Sequence, residues 1–89
     1  MEVLLLGRYL KEKRLFQRLT QKELARILGY KAQYVANWER GACKPPVAAI
    51  AKIGFILKID KDDLLRILMN ESYFYWQKIL NEEPKDIKR

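Results

Sequence analysis

Gln33 and Asn37 stand four residues apart in the stretch LGYKAQYVANWERG, residues 28–41, of a chain whose formal net charge is +7. Residues at that spacing share one face of a helix. An amide side chain carries a donor and an acceptor side by side, which matches the N6 and N7 edge of adenine; a lysine there would add affinity with less information. Tyr34 lies within the same turn, and Ala36 offers a methyl that can meet a thymine methyl or permit close approach. Amides that read bases, surrounded by cations that hold phosphates, are the chemistry this segment supports.

The composition bounds what else the chain does. Its 89 residues, 49% of them hydrophobic, suit one small core and leave no room for a second independent one. Eighteen Lys and Arg against eleven Asp and Glu, without a long single-sign run, describe a folded basic protein. The excess sits early: residues 1–44 hold ten basic and four acidic side chains, residues 45–89 eight and seven. A polyanion is the first partner to consider. The chain has no His, so imidazole bases, His-based triads and the commonest metal ligand are absent together. No metal site, cofactor motif, carboxylate pair in a cleft or phosphate-binding glycine loop stands out, so the expectation is a protein that is not an enzyme and takes no cofactor. The single Cys43 cannot form an internal bridge, which fits a reducing compartment. MEVLLLGRYLKEK has an acidic second residue, only four consecutive apolar residues and no small-residue cleavage site. It does not read as a secretory signal, nothing approaches a membrane-spanning length, and the expected location is cytoplasmic.

The elements that would position the amides are helical. Val3, Leu6, Leu10, Leu15 and Leu19 recur at roughly helical spacing, with Arg8, Lys11, Glu12 and Lys13 opposite. Thr20 followed three residues later by Glu23 reads as a capping box opening a second helix, with Leu24, Ile27 and Leu28 as its buried stripe. Gly29 ends it, and after a tight turn AQYVANWERG forms a third, Val35 and Trp38 facing the core and Gln33 and Asn37 facing outward. Gly41 closes that helix. Pro46 precedes a fourth whose stripe is Val47, Ile50, Ile53 or Gly54, and Leu57. Asp60 with Asp63 reads as the cap of a long fifth helix ending near residue 82, and the tail PKDIKR is expected to fray. A strand pattern appears only weakly, at SYFYW. The fold class expected is all-α with five helices.

A helix, a short glycine-containing turn and a second helix exposing hydrogen-bonding side chains is the arrangement that fits a helix into the DNA major groove. The stretch LTQKELARILGYKAQYVANWERGACKPP resembles the helix-turn-helix of the lambda-repressor-like, Xre-type family of bacterial and phage regulators. Thr20, Gln21, Leu24, Ala25, Gly29, Val35, Trp38, Glu39, Gly41 and Pro45 carry the resemblance. It implies base contacts from Ala32, Gln33, Tyr34, Ala36 and Asn37, and phosphate contacts from Thr20, Gln21, Lys31, Arg40 and Lys44. It also implies a structural ion pair between Arg14 and Glu39. Three departures stand out. The family usually has Ser or Thr where Ala32 stands, so a cap of about 1 kcal/mol is lost there, with Lys31 compensating at a phosphate. Glycine is common where Arg18 and Lys58 stand, which leaves the conformation of those two loops open.

The expected division is a DNA-binding domain over residues 1–66 and a helical extension over 67–89. A helix over residues 60–81 would run roughly 33 Å, longer than the four preceding helices need for cover. Tyr73, Phe74, Tyr75 and Trp76 are consecutive and cannot all face one core. Either part of this cluster folds back on the first helix, or these four with Ile79 and Leu80 form a homodimer interface that sets two recognition helices on successive turns of one DNA face. The dimer is the favoured reading. The expected function is a sequence-specific regulator of transcription on double-stranded DNA, a dimeric repressor reading an inverted repeat. Two alternatives stay open: an antitoxin whose carboxyl-terminal segment binds a toxin, and an interaction adaptor that does not read DNA.

Overall fold

The computed structural model describes residues 5–82, so Val3 and the tail from residue 84 lie outside the described part. Five α-helices make up the order: α1 (Leu5–Phe16), α2 (Gln21–Leu28), α3 (Ala32–Arg40), α4 (Val47–Ile56) and α5 (Lys61–Asn81). Among the described residues there is no strand, and SYFYW lies inside α5, where its alternation has no partner strand to pair with.

Leu6, Leu10, Leu24, Ala25, Leu28, Val35, Trp38, Ala49, Ile53 and Leu57 form the core. Leu15, Ile27 and Val47, expected in it, are exposed instead. Leu15 and Ile27 each stand beside a buried residue of the same helix, Arg14 and Leu28, so they lie to the side of the buried line, and Val47 is the first residue of α4. Along α4 Ile53 and Leu57 are buried as expected, Ile50 is half-buried, and Ala49 joins the buried line. The closest approach is made at Gly7. A Cβ there would lie 2.5 Å from the carbonyl oxygens of both Trp38 and Glu39, so α1 rests directly on the carboxyl-terminal backbone of α3.

The first four helices end alike. A left-handed residue is followed by an amide that reaches back five positions: Leu19 N–H to Arg14 O, Tyr30 to Ala25, Ala42 to Asn37 and Ile59 to Gly54. Gly29 and Gly41 take the left-handed position with φ of 84° and 79°, but Arg18 and Lys58 take it too, at 60° and 55°. The turns at Arg18 and Lys58 are thus made without glycine. The left-handed conformation costs a non-glycine residue about 1–2 kcal/mol, offset by the satisfied carbonyls and by Leu19 and Ile59, which pack on the core just beyond.

Candidate nucleic-acid interface

The first wall of the site is α2. Thr20 Oγ1 accepts from the Glu23 N–H at 3.0 Å while Glu23 Oε1 accepts from the Thr20 N–H at 2.8 Å, closing the capping box. Gly29 turns the chain, and Tyr30 in the turn sets its ring edge-on to Tyr34 and Trp38, with centroids 5.5 and 5.2 Å apart. Val35 and Trp38 are buried below, so a helix of only nine residues is held by its packed face and not by its own propensity. Its amino-terminal cap position is Lys31, whose side chain makes no capping bond, and Ala32 is the first helical residue.

The outer face carries Gln33 and Tyr34, both exposed, with Ala36 and Asn37 half-buried beside them. Tyr34 keeps about half its surface open (49%) although its ring touches Tyr30, so packing and outward contact are compatible. Gln33 Nε2 donates to Asn37 Oδ1 at 3.0 Å, and Arg40 donates to the same oxygen.

Three elements meet at one ion pair. Arg14 on α1 donates to Glu39 on α3 from Nε (2.6 Å) and Nη2 (3.0 Å), and from Nη1 to the Leu19 carbonyl at 2.7 Å. Both side chains are almost fully enclosed. Gln21 at the start of α2 donates to Glu39 Oε1 at 2.9 Å. One of its two amide hydrogens is therefore spent inside the protein. Thr20, Lys31, Arg40 and Lys44 are all exposed, Lys31 at the start and Arg40 in the last turn of α3. Lys44 Nζ lies 5.2 Å above the Tyr75 ring, which joins the loop after α3 to α5.

Over residues 5–68 the chain matches the family described as a helix-turn-helix domain. It belongs to that family. The match takes in α1 to α4 and the first turns of α5, and it agrees with the lambda-repressor-like resemblance of residues 19–46. No curated protein and no solved structure matches the chain. A helix-turn-helix domain binds DNA, and the outer face of α3 is where this one presents hydrogen-bonding groups.

Beyond the helix-turn-helix match, α5 continues to Asn81 with large apolar side chains exposed on two sides. Phe74, Tyr75 and Ile79 line a groove of about 660 Å³ against Leu6, Gly7 and the loop after α3. Tyr73, Trp76 and Leu80 face a different side, in line with Met69. One part of the aromatic cluster therefore leans back toward α1 and one part does not.

Two residues that hold the fold escaped the sequence reading. Glu71, 8% exposed, accepts the Leu6 N–H at 2.8 Å and so caps α1 from α5. Its signal was its isolation, since it is the one charged residue between Arg66 and Lys78. Gly7 had no local signal at all. Among the described residues no group of three or more His, Cys, Asp or Glu could hold a metal ion, and no helix is long and apolar enough to cross a membrane.

Proposed function

We propose that the protein is a sequence-specific regulator of transcription that inserts α3 into the major groove of double-stranded DNA and acts as a dimeric repressor on an inverted repeat. The observation that carries this reading is the two-sidedness of α3. Val35 and Trp38 anchor it below while Gln33, Tyr34 and Asn37 stand outward, and Lys31, Arg40 and Lys44 are exposed. Major-groove reading requires a rigidly mounted helix with amide donors and acceptors, and phosphate grip requires the cations.

The dimer rests on α5. In a chain that is 33% charged, residues 67–77 contain one charged side chain, and that one is buried. Two copies with a net charge of +7 each repel except where charge is absent, so a neutral apolar stripe of Met69, Tyr73, Trp76 and Leu80 is the surface on which they can meet. A DNA-binding dimer of this kind reads two half-sites related by its two-fold axis. A reducing, cytoplasmic setting agrees with the exposed free Cys43.

Selection of bound duplexes from a randomised pool at near-physiological salt tests the proposal, because that salt suppresses the electrostatic binding any such cation shows. An enriched inverted repeat is expected. A single enriched half-site would remove the dimer, and no enrichment would remove base reading in favour of an interaction adaptor or an antitoxin that needs its partner.

A further inference from the structure

Asn37 Oδ1 accepts from Gln33 Nε2 and from Arg40 Nη2. Arginine can only donate, so the Asn37 atom turned toward Arg40 must be the carbonyl oxygen. The Gln33 atom turned toward that oxygen must then be its NH2 group. A carbonyl oxygen has two lone pairs, and here both are occupied.

Bidentate recognition of adenine needs an amide whose carbonyl is free to accept from N6 beside an N–H that donates to N7. Asn37 has lost the first requirement. Gln33 has given one of its two amide hydrogens to Asn37 and retains its carbonyl and the other hydrogen. Arg40 sits in the last turn of α3, where the helix carbonyls favour a cation.

We infer that Gln33 alone reads adenine and that Asn37 is a positioning residue, which together with Arg40 sets the plane of the Gln33 amide before DNA arrives. The two amides, alike in chemistry and on one face, have different roles. The inference rests on the reading of α3 as a major-groove helix.

The test is the same selection from randomised duplexes, run with the wild-type chain and with Gln33→Ala, Asn37→Ala and Asn37→Asp, all on the outer face of α3. The wild type is expected to enrich an adenine that Gln33→Ala loses, by roughly 10- to 100-fold against the other bases. Asn37→Ala should weaken preference at that same base pair by a smaller factor, and Asn37→Asp, whose carboxylate still accepts from Gln33 and Arg40, should keep it. Preference lost at two different base pairs would show that Asn37 reads a base of its own and overturn the inference. So would an unchanged Asn37→Ala profile, an Asn37→Asp profile matching that of Asn37→Ala, or a Gln33 position that is not adenine. A wild-type chain that enriches nothing would instead overturn the DNA-reading function beneath it.

Discussion

Glu71, in the middle of α5, accepts the backbone N–H of Leu6 in the first turn of α1, 65 residues away, at 2.8 Å. The first turn of a helix has amides without intrahelical partners and carries partial positive charge, so a carboxylate placed there satisfies both. The long helix is thus tied into the domain by a cap. Glu71→Ala should destabilise the protein by about 1–3 kcal/mol, and Glu71→Gln, which keeps an acceptor and loses the charge, by less. Urea unfolding of the two variants checks the order; equal losses would mean that the negative charge, and not an acceptor as such, is what Glu71 supplies.

Arg14 and Glu39 are almost fully enclosed and bonded through two nitrogens. Removing one partner leaves a buried charge uncompensated, so Arg14→Ala is expected to cost about 3–5 kcal/mol, enough to unfold much of a domain this small. Lysine cannot reproduce the three bonds that Arg14 makes, and Arg14→Lys should rescue only a minor part of the loss. Thermal unfolding followed by circular dichroism reads both.

The Tyr9 hydroxyl oxygen is buried without a hydrogen-bond partner. Burial, and then the nearby Asp63 and Asp60, raise its pKa above the ordinary 10.0, with Arg66 acting the other way. A raised value means the fold favours the neutral phenol, so this contribution to stability is complete below about pH 10 and is lost as pH rises through the folded value. Tyr9→Phe removes the unpaired hydroxyl and should raise stability by up to about 1 kcal/mol at neutral pH. Its stability should also fall less steeply above pH 10 than that of the wild type, which chemical denaturation at pH 8 and pH 11 would show.

Lys44 is held over Tyr75 at the edge of the proposed DNA face. Lys44→Ala should weaken binding to preferred and random duplexes alike and lower the magnitude of the log–log salt slope by about 1, with little change in melting temperature. A loss confined to the preferred site would mean that Lys44 takes part in base reading.

Trp76 is half exposed on the α5 side that does not lean on α1. Trp76→Ala should shift the species seen by light scattering from dimer toward monomer and leave the fold intact, since the side chain is not part of the core. An unchanged dimer would place the interface elsewhere, the groove lined by Phe74, Tyr75 and Ile79 being the next candidate.

The local features of this protein are written in short stretches of its sequence. Thr20 with Glu23, Asp60 with Asp63, and the glycines at 29 and 41 announce helix ends because capping and left-handed turns depend on residues within a few positions of each other. The spacing of Val35 and Trp38 against Gln33 and Asn37 likewise separates the buried side of α3 from its outer side before any tertiary contact is known. How wide each buried stripe is was not legible: Leu15, Ile27 and Val47 have the right spacing and are exposed, Leu15 and Ile27 each beside a buried neighbour, Arg14 and Leu28. Arg18 and Lys58 show the converse, since nothing about an arginine or a lysine announces a left-handed turn, and the reach-back bond that imposes it forms only once the next residue docks on the core. Gly7, whose missing Cβ admits the end of α3, and Glu71, whose carboxylate caps α1, act on partners 31 or more residues away. The division between Gln33 and Asn37 belongs with them. Two amides on one face are equivalent in the sequence, and it is Arg40, a pure donor placed within reach by the helix, that makes one of them the acceptor and leaves the other its carbonyl.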